Sequence, residues 1–192
     1  MLFSHDTERW LACIVDLVNS CVPSRGPSVG SPVVDELGDL DALHAFVVRH
    51  DISEVGRLTA DDLGAVHDLR ARVAAVFDAD DDAAAAAAVN SLVSRAAVTP
   101  RLTDHDGYDW HVHYFSPGAS LGEHLAIDCG MALAHVVASG ERERLRRCDA
   151  PDCDQVLVDL SRNRSKRYCD ARTCGNRLHV AAYRERQRAA LL

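Results

Sequence analysis

Two pairs of cysteines with the same spacing constrain the fold of this chain more than any other feature of its sequence. Cys148 and Cys153 form the first Cys-x4-Cys pair, Cys169 and Cys174 form the second, and fifteen residues separate the pairs. A structural zinc ion takes four soft ligands in a tetrahedron, and four thiolates complete that set. The pattern therefore predicts one structural zinc ion, with no coordination position left open for catalysis.

Four ordinary thiols or two disulfides are the alternatives to a zinc site. No signal peptide is expected, because the first apolar run, Leu11–Val18, contains Asp16 and follows acidic rather than basic residues. No uninterrupted apolar stretch approaches the length of a membrane span. We therefore expect a cytoplasmic chain with reduced thiols, in which clustered cysteines bind metal. The isolated Cys13, Cys21 and Cys129 fit no metal-binding spacing.

The residues around the cysteines indicate a small zinc-binding module. Residues 155–159 and 166–169 have the pattern of two short strands, joined by a turn that carries arginines. A helix is predicted to follow Cys174, with Leu178, Ala181 and Ala182 on its inner side. A pair of cysteines in a tight turn, a hairpin, and ligands at a helix start are the layout of a treble-clef-like zinc finger.

Charge is distributed unevenly along the 192 residues. Residues 1–140 hold 8 arginines against 21 acidic residues, a net charge of −13, whereas residues 141–192 carry a net charge of +5. Such asymmetry is typical of a chain with a polyanion-binding end. The sequence thus predicts two domains, an acidic one at 1–140 and a basic zinc-binding one at 141–192.

The acidic part is predicted to be mostly helical with one small antiparallel sheet, so the expected fold class is α+β. Apolar periodicity and capping residues indicate the helices, and an Asp-Gly turn between alternating flanks indicates a hairpin. The Pro/Gly/Ser-rich residues 20–32 read as a mobile connector or as a lid over a ligand. The helices are expected at 5–20, 40–49, 58–77, 83–97 and 120–139, and the hairpin at 100–115.

The second strand of this hairpin carries two histidines on one face. His111 and His113 are two residues apart, and alternation places them on the side opposite Val112 and Tyr114. A polar, partly exposed sheet face is the simplest interpretation. A second metal site and a pocket for a small-molecule ligand are the alternatives, and both histidines are candidate ligand-binding residues.

Basic residues cluster in the predicted finger and its helix. Phosphates attract such a cluster through counterion release, and arginine also pairs with guanine in the major groove. A solvated surface, or a face that docks on the chain's own acidic part, are the alternatives. Candidate DNA contacts are Arg162, Arg164, Lys166, Arg167, Arg172, Arg177, Arg184 and Arg188.

The tetrapeptide Cys174-Gly175-Asn176-Arg177 resembles the signature of the CGNR zinc-finger family. The N-terminal part is similar to the ABATE domain, in LVNS at 17–20, in LTADDLGAVHDLRARV at 58–73 and in the hairpin region through 115. The resemblance implies a two-part bacterial transcription regulator linked to stress. It also implies that the four paired cysteines bind zinc and that DNA contacts surround Asn176 and Arg177.

Three classes of function remain to be weighed. The first is a DNA-binding regulator whose N-terminal domain senses a small-molecule effector or forms a homodimer. The second is a protein–protein interaction module in which the basic finger docks on an acidic partner. An enzyme is the least supported, because the sequence holds no nucleophile–base arrangement, phosphate-binding loop or paired-carboxylate signature.

Overall fold

The computed structural model describes residues 3–21, 35–104, 110–151, 153–170 and 174–189. Most of the predicted connector at 20–32, the Asp106-Gly107 turn and Arg172 lie outside these ranges. The helices, in chain order, are α1 (His5–Asn19), α2 (Leu40–Arg49), α3 (Ala60–Phe77), α4 (Asp82–Val93), α5 (Leu121–Ala138) and α6 (Asn176–Ala189). The strands are β1 (Val98–Thr103), β2 (His111–Phe115), β3 (Leu145–Arg147) and β4 (Val156–Val158).

Side-chain caps fix where several helices begin. The Thr59 side chain accepts a hydrogen bond from the backbone N–H of Asp62, whose carboxylate accepts one from the Thr59 N–H in return. Ser120 and Glu123 make the same reciprocal pair at the start of α5. Each pair satisfies N–H groups that have no partner within the helix. These starts are as the sequence predicts.

Helix α5 forms the centre of the core. It packs against α1, α3, α4 and β2, and its contacts with the other helices are close because two glycines lie at the crossings. A Cβ at Gly130 would lie 2.6 Å from Val93 Cγ1, and a Cβ at Gly122 would lie 2.8 Å from Ala65 Cβ. By length and composition α5 could span a membrane, but 61% of it is buried inside the protein. Its apolar character is that of a core helix.

Two helix predictions need correction. The predicted helix at 83–97 ends at Val93, where the Ser94 N–H bonds the Asn90 carbonyl and the chain leaves toward β1. The apolar spacing of Leu40, Leu43 and Phe46 predicts that all three face inward. Leu40 is exposed instead, because it is the first residue of α2 and lies ahead of the turn that packs on the core.

The predicted pairing of strands 155–159 and 166–169 is wrong. Strand β4 pairs instead with β3, with Leu145 opposite Val158 and Arg147 opposite Val156. Residues 166–169 form no strand. Their backbone makes isolated hydrogen bonds instead of a ladder, among them one from the Lys166 N–H to Asp159 Oδ2 and one from the Asp149 N–H to the Arg167 carbonyl. Strand β3 is the preferred partner because the pairing buries the apolar side chain of Leu145 in the core. The polar residues 165–167 would bury no such apolar surface.

Strands β3 and β4 are packed on the helices. Leu145, Val156 and Val158 are buried in the same apolar cluster as the helices of the N-terminal part. At the end of α1, the Asn19 side chain donates to the Val156 carbonyl at 2.9 Å and accepts from the Val156 N–H at 2.8 Å. The core is therefore continuous across residues 140 and 141, and the division of the chain there stays a prediction.

Candidate metal centre

The four paired cysteines converge on one point. Their Sγ atoms all lie within 4.8 Å of one another. Cys148 and Cys153 lie in the loop that joins β3 to β4, Cys169 follows the turn after β4, and Cys174 precedes α6. The structure thus brings together the ligand set that the spacing predicts.

The distances fit zinc and exclude a disulfide in this arrangement. Cys153 Sγ and Cys169 Sγ are 3.7 Å apart, as are Cys169 Sγ and Cys174 Sγ. Sulfurs at about 2.3 Å from a tetrahedral zinc ion are separated by roughly 3.8 Å. A disulfide bond needs a separation near 2.05 Å. All four residues are free thiols in the protein chain alone, and they form a closed four-thiolate site for one structural zinc ion.

The chain around the sulfurs holds them in position and supplies donors to them. The Cys148 N–H bonds the Gln155 carbonyl at 2.8 Å, which closes the loop between β3 and β4. The Cys169 N–H donates to Cys148 Sγ at 3.4 Å, and Arg177 Nη2 donates to Cys174 Sγ at 3.8 Å. These donors offset part of the negative charge that four thiolates leave on a zinc site.

Burial and hydrogen bonding shift the pKa values of the cysteine thiols in opposite directions. Burial raises the pKa of Cys153 to about 11, and burial together with the neighbouring Cys174 thiol raises the pKa of Cys169. Burial also acts on Cys148, but the N–H groups of Ala150 and Cys169 outweigh it and lower the pKa of that thiol. Zinc must therefore displace protons from Cys153 and Cys169 when it binds.

The glycine of the Cys-Gly-Asn-Arg tetrapeptide fills a tight place beside the metal ligands. Gly175 is buried, its N–H bonds the Asp170 carbonyl at 3.1 Å, and a Cβ there would lie 3.3 Å from Tyr168 Cδ2. Any larger side chain would push the Tyr168 ring, which packs on the cysteine cluster. Asn176 follows as the first residue of α6 and is exposed.

The structure separates the predicted DNA-contacting residues into two groups. Some already contact groups within the protein: Arg164 pairs with Glu141 at 2.9 Å, Arg167 pairs with Asp149 at 2.7 Å, and Arg177 bonds the Cys174 sulfur. The others lie exposed on the turn after β4 and on α6; these are Arg162, Lys166, Arg184 and Arg188, together with Arg186.

Sequence reasoning missed a set of arginines that hold the finger to the helices. Arg147 forms a bidentate pair with Asp78 at 2.7 Å for each bond, and Arg142 bonds Asp82 at 2.6 Å. The buried Arg144, by contrast, donates within the finger, to the carbonyls of Asp159 and Ser161. The sequence feature that indicates these arginines is the run ERERLRR at 141–147.

The two histidines of β2 do share a face, as alternation predicts. His111 Nε2 and His113 Nε2 lie 3.0 Å apart. His113 is buried, with its ring 5.0 Å from that of Phe115, whereas His111 lines a surface cavity. Within the described ranges, the four cysteines are the only group of three or more His, Cys, Asp or Glu residues placed to hold a metal ion.

Family models match both parts of the chain, and the zinc-finger model matches the C-terminal part, where the four cysteines converge. Residues 144–187 match the CGNR zinc finger. Residues 11–140 match ABATE, described as "Putative stress-induced transcription regulator". A search of curated proteins found no match to the chain. Since the second match covers well over half of the residues, the chain belongs to the ABATE family and carries a C-terminal CGNR zinc finger.

Proposed function

We propose that this protein is a non-enzymatic transcription regulator of the cytoplasm that binds DNA through its CGNR finger. The observation that carries the proposal is the position of α6. The helix begins two residues after the zinc ligand Cys174, and it presents the exposed side chains of Arg184, Arg186 and Arg188. A helix whose start is held by a metal site delivers arginines to phosphates with little loss of backbone entropy.

The distribution of ion pairs supports this role for α6. The arginines that contact the acidic helices lie at 142–147, before the first cysteine. Arg184 and Arg188 are one helical turn apart, so they can contact the same stretch of DNA backbone. The finger thus uses separate arginines to dock on the protein and to meet a polyanion.

In the same proposal the ABATE part controls the finger, either by sensing a small-molecule effector or by forming a homodimer. Helix α1 supports such control because it reaches both regions. Its first residues line a cavity, and Asn19 at its end is hydrogen-bonded to β4 of the finger.

Fluorescence anisotropy of a labelled random duplex tests the proposal with the full-length, zinc-loaded chain. We expect log K to fall linearly with log salt concentration, as counterion release requires. The double variant Arg184→Gln, Arg188→Gln should reduce the magnitude of that slope by about 2. Arg57→Gln with Arg95→Gln is the matched control, since both side chains are exposed on the acidic part, and it should leave the slope unchanged.

The competing function is docking on an acidic partner protein. The contacts of Arg142 with Asp82 and of Arg147 with Asp78 favour it, because they show basic residues of this segment on an acidic surface. If the wild-type chain fails to bind duplex DNA even at low salt, the DNA proposal fails. The exposed arginines of α6 would then belong to a protein interface.

A further inference from the structure

A cavity of about 670 Å³ opens between the start of α1, strand β2 and helix α5. Its volume lies within the range of small-molecule sites. The residues on which the argument rests are Arg9, Trp10, Trp110, Tyr114 and Asp128. The cavity is separate from the zinc site and shares no lining residue with it.

One wall of the cavity holds a buried carboxylate with spare acceptor capacity. Asp128 lines the cavity and is 3% exposed; its Oδ2 is itself shielded from solvent and accepts no hydrogen bond from the part of the chain that the structure describes. His124 Nε2 lies 3.1 Å from this oxygen, but the two atoms are not aligned for a hydrogen bond. Burying an unsatisfied carboxylate is costly, and a cation or a strong donor relieves that cost.

The one arginine in the cavity wall is already engaged. Arg9 Nη1 donates to the carbonyls of His50 and Asp51, and Arg9 Nη2 pairs with Asp6 at 3.3 Å. Its guanidinium also lies 5.0 Å from the centre of the Trp10 ring. With Arg9 balanced by Asp6, Asp128 has no arginine partner among the described residues. Its nearest basic group is His124, which is charged only when protonated, and His5, His111 and His135 also line the cavity.

The remaining walls are aromatic. Trp10 is buried, Trp110 is 66% exposed at the mouth, and Tyr114 is half-buried. Burial and the negative charges of Asp6 and Asp128 raise the pKa of Tyr114, in keeping with an electronegative interior. Carboxylates and the faces of indole and phenol rings together are what ammonium ions bind.

We propose that this cavity binds a small organic ammonium ion with an apolar or aromatic body. The ammonium group would pair with Asp128, and the body of the ligand would lie against Trp10 and Trp110. The site stands on these contacts alone and does not depend on whether the finger binds DNA.

Intrinsic fluorescence tests the proposal directly, because the chain holds two tryptophans and both line the cavity. The probes are 2-phenylethylammonium, 3-phenylpropionate and 2-phenylethanol, which differ mainly in charge. We expect a saturable change with the ammonium ion. The neutral and anionic probes should bind at least about ten-fold more weakly, since neither offers a positive charge to Asp128.

Two variants locate the binding. Asp128→Asn keeps the shape of the side chain and should weaken ammonium binding by about ten-fold. The control Asp68→Asn, which changes an exposed aspartate on α3, should have no effect. Should Asp128→Asn not fold, Trp110→Ala at the exposed mouth should still weaken binding several-fold.

Three results with the wild-type chain would overturn the proposal: no saturable change with 2-phenylethylammonium, equal binding of 2-phenylethanol, or tighter binding of 3-phenylpropionate. The last would make the site one for anions, held by histidines of the lining. Unaltered binding in both Asp128→Asn and Trp110→Ala would place the ammonium ion elsewhere.

Discussion

At the scale of single residues, the four cysteines show how far spacing alone determines a site. Two Cys-x4-Cys pairs predict the ligands because only residue type and short loops are involved, and the Sγ atoms converge within 4.8 Å. The arginines are different. Their number is visible in the sequence, but which of them pair with Asp78, Asp149 or Glu141 depends on packing that no local pattern encodes.

Cys169→Ser should abolish stable zinc binding and unfold the segment around it. Three thiolates bind structural zinc far less tightly than four, and the folding free energy of this segment comes largely from the metal. Zinc content and far-UV circular dichroism of the purified chain are the measurements, with helices α1 to α5 retained.

The matched control is Cys21→Ser, which removes an exposed free thiol remote from the cluster in sequence. It should keep a full equivalent of zinc. A folded Cys169→Ser chain with an unchanged spectrum and no metal would refute the structural role of zinc.

At the scale of elements, helices were predicted better than strand pairs. Caps such as Thr59 and Ser120 act within four residues, so the sequence contains the whole interaction. Strand β4 could pair with the segment before it, 145–147, or with the segment after it, 166–169. It pairs with 145–147, because this pairing buries Leu145 in the core. The glycines of α5 are a similar case, because only the crossing helices reveal why position 130 must be small.

Gly130→Val should destabilise the protein by about 2 kcal/mol. A Cβ at this position already lies 2.6 Å from Val93 Cγ1, and two further methyl groups would force α4 and α5 apart. Urea unfolding followed by circular dichroism measures the free energy of unfolding.

Gly64→Ala in α3 is the control for this prediction. Gly64 is exposed and a Cβ there meets no atom within 4 Å, so the change should stabilise the protein by up to about 1 kcal/mol through helix propensity. A stabilised Gly130→Val variant would mean that α4 and α5 do not cross so closely.

At the scale of the whole molecule, charge organises the contact between the two parts. The acidic residues 1–140 and the basic residues 141–192 were visible in the sequence. From the sequence, docking of the basic part on the acidic part is only one of several alternatives. In the structure, Arg147 pairs with Asp78 and Arg142 pairs with Asp82, so some of the charge does join the two parts. The cavity between α1, β2 and α5 could not be predicted, since Trp10 and Asp128, which both line it, lie far apart in sequence.

Asp78→Asn should destabilise the protein by less than about 1 kcal/mol at pH 7, because both partners of the pair are partly exposed. Hydrogen bonds from Arg147 lower the pKa of Asp78 below its ordinary 3.8. The pair therefore stabilises the fold fully above pH 3.8 and is lost as the pH falls through the lowered value. The difference in the free energy of unfolding between Asp78→Asn and the wild type should be constant between pH 7 and 5.5 and should shrink below pH 4.

Urea unfolding at several pH values measures this difference. Asp80→Asn is the control, since Asp80 is exposed and close in sequence, and it should show no such pH dependence. If the free energy of unfolding depended on pH in the same way in both variants, the ion pair between Asp78 and Arg147 would not contribute to stability.

The bonds between Asn19 and Val156 join residues 137 positions apart, and this has a consequence for synthesis on the ribosome. Chains are made from the N-terminus, and domains generally fold as they emerge. Here the apolar side of α1 cannot be covered fully until β4, which lies more than 130 residues further along the chain, has been translated. Part of the apolar surface of the nascent helices therefore stays exposed during synthesis. It is buried only when the zinc-binding segment has been made and β4 can pack on α1.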